Sequence, residues 1–254
     1  MKNEIKVSSF NIRVHTERDG INAFLNRADF LLEGIHEIDA DIFGFQEVTL
    51  LMAEKLKTGM KGYSFVGVGR AADFTDEHTY IAYKTEKFDL LTSETFWLSE
   101  TPDIPGSRFF EGQGDCPRIC TLASLVHIDT KKTIKFYNTH LDYRGAPARL
   151  RGIRMILDRI RKDKLTNIDV ITGDFNCRPD SEPVNEVNNS NLGLADATSE
   201  LTDTYNSFGC EPESKIDYIF TNSEYRDSYK VRKITDEGMY LSDHDAVVTT
   251  LILK

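Results

Sequence analysis

The chain has 254 residues, 40% hydrophobic and 28% charged, which fits a folded globular protein and excludes a disordered or fibrous one. No apolar run approaches the roughly 20 residues needed to cross a membrane, and the longest, such as Ala246–Leu253, have the length of a strand. The 41 acidic residues outnumber the 31 basic ones for a net charge of −10. That argues against a protein that coats nucleic acid through its overall field, but leaves open a nuclease whose acidic cluster holds a divalent metal.

Eight runs rich in Val, Ile, Phe, Thr and Tyr read as strands, and two as helices. Ile5–Asn11 comes first and leads into Asn11-Ile12-Arg13. Leu31, Leu32, Ile35 and Ile38 form one stripe and predict an amphipathic helix over Ala28–Ile38. The strand Ile42–Glu47 closes in Gln46-Glu47. Thr79–Tyr83 and Leu122–Ile128 are the next two strands. Between them, Leu98–Cys120 is a candidate specificity loop, with Arg108 and Arg118 but also Glu100, Asp103, Glu111 and Asp115. Ile134–Leu141 reaches His140 and is followed by Asp142. A second helix is predicted over Ala146–Ile160, with Leu150, Ile153, Leu157 and Ile160 on its apolar stripe. Ile168–Asp174 runs into Asp174-Phe175-Asn176, and Ile216–Thr221 carries Asp217 within it. Ser242-Asp243-His244 sits just before the last strand, Ala246–Leu253.

No repeat or low-complexity linker interrupts this order, so residues 1–254 read as a single domain. The class is α/β with strands in excess, which two sheets packed face to face with helices outside would accommodate. Cys116, Cys120, Cys177 and Cys210 contain no CxxC pair. A chain of this size needs no disulfide staples, so reduced structural thiols are expected over two bridges. The first residues, MKNEIKVSSFN, hold no apolar signal core, and no heptads call for a partner. The expectation is a cytoplasmic monomer.

Acids, amides and histidines recur at strand ends: Asn11, Glu47, His140, Asp174 with Asn176, and Asp243 with His244, while Asp217 lies inside a strand. Any one of them alone would read as a turn former, a satisfied core histidine or a surface cluster. Together they point to one shared site at the mouth of a sheet, because a buried carboxylate is costly unless paired, hydrogen-bonded or metal-bound. Oxygen donors without cysteine suit Mg²⁺, with Mn²⁺ as the second choice, rather than structural zinc. Neither a GxSxG elbow nor a GxxxxGK[ST] loop is present. Metal-assisted hydrolysis of a phosphate ester is the chemistry that remains.

The ordered set SFNIR, FGFQEV, NTHLD, ITGDFN, KIDYIF and LSDHD, from Ser9 to His244, resembles the endonuclease/exonuclease/phosphatase (DNase I-like) superfamily. FWLSETPDIPGSR and NTHLDYRG point to its compact bacterial branch. The resemblance implies a four-layered α/β sandwich, two mixed sheets face to face with helices on both outer sides. It also implies roles. Glu47 would bind the divalent metal, supported by Asn11, with Asp243 at the same centre. Asp174 would orient or help deprotonate the attacking water, and Asn176 would bond a phosphate oxygen. His244 would act as general base or stabilise the pentacovalent phosphorus, held in one tautomer by Asp217. His140 would donate to the phosphate.

Arg13, Tyr143 and Arg149 are candidates for substrate contacts, with helix-surface charge as the alternative for Arg149. Glu77, before Thr79–Tyr83, has a place from which it would orient His140, or it is a solvated loop acid. Asp245 departs from the usual pattern after SDH, and would either raise the pKa of His244 or point to solvent. The function implied is a divalent-metal-dependent phosphoesterase acting on a phosphodiester or phosphomonoester by in-line attack of water. A nuclease acting on nucleic acid, a small-molecule or lipid-headgroup phosphohydrolase, and a non-catalytic phosphate-binding module are the alternatives.

Overall fold

The structure, a computed structural model, describes residues 3–163, 168–210 and 213–254. Its elements run β1 (Glu4–Asn11), α1 (Phe24–Ile38), β2 (Ile42–Gln46), α2 (Leu50–Gly59), β3 (Tyr63–Val66), β4 (Ile81–Lys84), β5 (Phe88–Trp97) and β6 (Ile119–His127). They continue through β7 (Thr133–His140), α3 (Ala146–Lys162), β8 (Ile168–Asp174), α4 (Glu182–Asn188), β9 (Ala195–Asp196), β10 (Asp217–Thr221), β11 (Glu224–Val231) and β12 (Ala246–Ile252). One sheet has the order β11-β12-β1-β2-β4-β3, the other β5-β6-β7-β8-β10-β9. Both are mixed: β1–β2 and β7–β8 are parallel, and the remaining pairs are antiparallel.

Three apolar cores separate four layers. Val7, Ile42, Leu125, Phe136, Val170 and Val247 fill the space between the sheets. Leu31, Ile35, Met52 and Leu56 of α1 and α2 cover Phe43, Phe45 and Val248 on one outer face. Ile153, Ile156, Val184 and Val187 of α3 and α4 cover Tyr137, Ile171 and Phe220 on the other. This is the α/β sandwich that the sequence resemblance implies. No helix among the described residues is long and apolar enough to cross a membrane.

The eight strands read from sequence all occupy interior positions of the sheets. The four that were not predicted, β3, β5, β9 and β11, are the four edges. An edge strand loses one neighbour and faces water on more sides, so its residues need not be apolar. β11 is largely exposed and β9 has only two residues. The helices α2 and α4 were also missed, and α1 begins at Phe24 rather than Ala28. All four cysteines are unpaired.

Strand direction decides where the polar residues meet. The parallel strands β1, β2, β7 and β8 end at one rim of the sandwich, whereas β10 and β12, antiparallel to their neighbours, begin there. Register does the rest: Asp174 on β8 is flanked by His140 on β7 and by Asp217 on β10. Below this rim a buried polar bridge joins the sheets. Gln46 Nε2 donates to Asn138 Oδ1 at 2.6 Å, and Thr172 Oγ1 donates to the same oxygen at 3.1 Å. Gly44 makes room for it, since a Cβ there would stand 2.3 Å from Thr172 Oγ1 and 2.7 Å from Asn138 Oδ1.

Candidate active site

The residues leaving β1, β2 and β8 turn sharply. Arg13, Glu47 and Asn176 all have left-handed backbone, with φ of 55°, 61° and 50°. Such conformations cost about 1–3 kcal/mol at non-glycine positions and persist where the surroundings over-determine them. Here they aim side chains into one cavity of about 500 Å³. Arg27, fully buried, holds the turn after β1 against the segment before β12: it donates to the carbonyls of Asn22, Ile12, Arg13 and Leu241.

Asn11 links the two sheets at the cavity floor. Its Nδ2 donates to Glu47 Oε1 and to Asp174 Oδ2, both at 3.0 Å. Glu47 Oε2 accepts from the Val14 N–H at 2.8 Å. Burial opposes a charge on Glu47, but the bonds from Asn11 and Val14, with His244 and Arg13 nearby, leave its pKa lowered. Asp174 behaves oppositely: burial outweighs the attraction of His244, the charge of Asp217 adds to it, and the pKa is pushed up to about 7. Asp243 is raised as well, by burial and by Glu47, with His244 and Arg13 opposing.

His244 lies between two carboxylates. Its Nδ1 is 2.9 Å from Asp217 Oδ2, and its Nε2 is 3.6 Å from Asp174 Oδ2. Burial disfavours its charge, yet Asp217 and Asp174 win and hold the imidazole pKa well above the ordinary value. His140 Nε2 approaches the same Asp174 Oδ2 at 3.5 Å. Burial, with the charges of Arg118 and Arg70, keeps His140 well below the usual histidine range. One histidine is therefore an imidazolium and the other a neutral ring, on either side of one carboxyl group.

Asp174, Asp217 and His244 offer ligand atoms within 4.8 Å of one another. The 2.9 Å bond from His244 to Asp217 accounts for that grouping without a metal. The better cation site by donor chemistry is the Glu47 side of the cavity, which the carboxylates of Glu47, Asp174 and Asp243 line together, with Arg13 3.6 Å from Asp243.

The structure brings Asn11, Arg13, Glu47, His140, Tyr143, Asp174, Asn176, Asp243 and His244 together around the cavity, with Asp217 buried beneath His244. Asn176 is pinned by its own Nδ2 bond to the Leu141 carbonyl, at 3.0 Å. Arg149 does not reach this wall. Its Nη1 donates to the Asp142 carbonyl at 2.8 Å, which secures the 142–145 turn. Glu77 does line the cavity, but its partner is Arg70, at 2.8 and 2.9 Å, rather than His140. It is neither solvated nor the support of that histidine. Asp245 is fully buried and clasped by Arg232 and Asn206, so it neither points to solvent nor bonds to His244.

Sequence reasoning missed Thr204, Tyr205 and Arg70. Residues 204–206 pair with 243–245 through isolated backbone bonds, which carry Thr204 Oγ1 to Asp217 Oδ2 at 2.7 Å and place the Tyr205 ring 5.0 Å from that of His244. Nothing periodic in that stretch announces it. Arg118, noted only as a basic residue of a loop, is 5% exposed, lines the cavity, and has Nε and Nη1 without an acceptor. A buried donor left unmade costs about 1–3 kcal/mol, more when charged.

Residues 8–244 match the Endonuclease/Exonuclease/phosphatase family, and the chain belongs to it. A Bacteroides vulgatus endonuclease/exonuclease/phosphatase superposes with a TM-score of 0.92 at 29% identity, over 99% of both chains. A Bacteroides thetaiotaomicron mannosyl-6-phosphatase superposes with a TM-score of 0.83 at 28% identity, over 96% of this chain and 98% of that one. Danio rerio TDP2, solved with a single-strand DNA product, shares the fold at 18% identity and a TM-score of 0.76, over 97% of this chain and 98% of that one. The family's chemistry is phosphoester hydrolysis.

Proposed function

We propose that this member of the endonuclease/exonuclease/phosphatase family is a divalent-metal-dependent phosphoesterase that hydrolyses a small phosphate ester by in-line attack of water. The observation that carries the reading is the row Asp217–His244–Asp174–His140, faced across the sheets by Asn11 and Glu47. A binding module would not need two histidines of opposite protonation state around one carboxyl group.

The residues fit a hard cation. Their donors are oxygens, and burial first, with Asp217 acting on Asp174 and Glu47 on Asp243, raises the two aspartates. Glu47 would hold Mg²⁺ or Mn²⁺, with Asn11 fixing its carboxylate and Asp243 nearby. When bound, the ion supplies Lewis-acid polarisation of a phosphoryl oxygen.

The chain's own groups do the remaining work. Asp174, with a pKa near neutrality, orients the attacking water and takes its proton. His244, already an imidazolium, is a poor base and instead stabilises charge on the phosphoryl oxygens. Asp217 accepts from Nδ1, which fixes the ring's orientation and stabilises its positive charge, as carboxylates do for catalytic imidazoles elsewhere. His140 and Asn176 each retain N–H groups able to donate to an equatorial oxygen.

A small substrate is favoured by the loop between β5 and β6. Arg108 Nη1 donates to the Gly114 carbonyl, and the Gly114 N–H donates to Asp142 Oδ1, which fastens the loop onto the 142–145 turn beside the cavity. The likeness to a mannosyl-6-phosphatase supports the same size class. The test is hydrolysis of p-nitrophenyl phosphate, bis-p-nitrophenyl phosphate and single-stranded DNA with EDTA, Mg²⁺ or Mn²⁺, with Glu47→Ala as control. Metal-restored hydrolysis that vanishes in the variant is expected. Activity that persists in EDTA or in Glu47→Ala would overturn the reading.

A further inference from the structure

Three arginines line the cavity: Arg13, Arg70 and Arg118. Two are committed. Arg13 gives Nε and Nη2 to Asp19 at 2.9 and 3.1 Å, and lies 3.6 Å from Asp243. Arg70 holds Glu77 with two nitrogens and Asp76 with a third. Arg118 is held more loosely: its Nε and Nη1 make no hydrogen bond, and its one close carboxylate is the buried Asp142, at ion-pair distance only. Its nearest carboxylate oxygen, Asp142 Oδ2, stays 3.8 Å from Nε. Asp142 instead spends its other oxygen on the N–H groups of Gly114, Arg144 and Gly145. The Arg118 guanidinium lies 5.8 Å from the centroid of the Tyr143 ring, at the wall shared with His140.

A guanidinium is always charged, and it presents a planar fork that matches paired anionic oxygens. Buried at the cavity wall, with Asp142 Oδ2 at 3.8 Å as its carboxylate partner and Nε and Nη1 without hydrogen bonds, this one keeps donors for a second anion. The other cavity walls set the need. The carboxylates of Glu47, Asp174 and Asp243 repel a doubly charged phosphate more than a singly charged one, and a further cation at the wall offsets that difference. A phosphomonoester has one more unesterified anionic oxygen than a phosphodiester.

We propose that Arg118 is a specificity-determining residue that receives this additional oxygen, so that the cavity takes terminal phosphate dianions in preference to phosphodiester monoanions. The proposal rests on the reading of this cavity as a phosphoesterase centre.

The experiment compares the metal-loaded wild-type chain with Arg118→Met, of similar length but uncharged, and Arg118→Lys. Steady-state kcat/KM is measured on p-nitrophenyl phosphate and bis-p-nitrophenyl phosphate. The monoester-to-diester ratio should fall at least about tenfold in Arg118→Met and recover in part in Arg118→Lys, as expected for loss of a charge-assisted hydrogen bond. A ratio that stays within about twofold of wild type, whether both rates fall or neither does, overturns the proposal and leaves Arg118 as wall structure or as the partner of a remote anion.

A second readout needs no turnover. Calorimetry with inorganic phosphate should show affinity weakened at least about tenfold in Arg118→Met, and equal affinity would overturn the proposal even in a protein that hydrolyses neither ester. Failure of both esters in the wild type would count against the phosphoesterase reading, not against this one. Should Arg118→Met not fold, Arg118→Gln, which is uncharged but keeps a polar side chain beside Asp142, replaces it in both measurements.

Discussion

Asp174 and Asp217 are register partners on adjacent antiparallel strands, and the His244 imidazole stands between their carboxyl groups, 2.9 Å from one and 3.6 Å from the other. The two acids reach that position by different routes. Asp174 ends a strand that arrives at the rim, and Asp217 begins one that leaves it.

Removing the charge of Asp217 should lower the His244 pKa, since Asp217 is the strongest influence raising it. In Asp217→Asn the ring should titrate at lower pH by NMR, and kcat should fall at least ~10²-fold as the imidazolium loses its countercharge and its fixed orientation. An unmoved titration would show that Asp217 is only a packing residue.

Asp174→Asn and His244→Ala should each lower kcat by at least ~10²-fold if the groups act on the water and the phosphoryl oxygens as proposed. KM should change less than kcat. Near-normal turnover in both variants would remove this row from the mechanism.

Stability without metal should fall as pH rises from about 4 to about 7. Asp174 titrates near 7 in the folded chain but near the ordinary 3.8 once unfolded. Across that window the native state binds a proton that the unfolded chain has released, so raising the pH favours unfolding. Mg²⁺ should flatten the slope by replacing the proton as countercharge. Denaturant titrations in EDTA at several pH values check this, and Asp174→Asn should reduce the slope. An identical slope in that variant would assign it to other groups.

Gly44→Ala should destabilise the fold by about 1–3 kcal/mol through overpacking of the Thr172–Asn138 bridge. The denaturation midpoint measures this, and a shift within error would mean that the bridge yields freely.

The two sheets share a continuous inner core, so residues 1–254 are proposed to unfold in one transition. Calorimetric and van't Hoff enthalpies should agree. Two resolved transitions would divide the chain.

The interior of this protein was legible because interior strands are apolar on both faces. Ile168–Asp174, buried throughout, begins and ends in the structure where its apolar run does in the sequence. β11 and β3 were not, because an edge strand needs no such composition. Polar residues at the ends of buried strands marked the candidate site for the same energetic reason: Asn11 and Asp174, with the half-buried Glu47 beside them, sit where only a partner, a metal or a substrate makes burial tolerable. Arg149 looked like a substrate contact, yet its bond to the Asp142 carbonyl turns it away from the cavity.

By itself the sequence determined the α/β class, the succession along the chain of the interior strands, and the residue types of the candidate site. Tertiary structure alone decided which charges face one another. That Asp245 answers to Arg232 and not to His244, that Glu77 answers to Arg70, and that Arg118 keeps Nε and Nη1 without hydrogen bonds are consequences of register and loop closure. Electrostatic pairing depends on distances of a few ångströms between segments far apart in the chain, and composition and periodicity do not encode those distances.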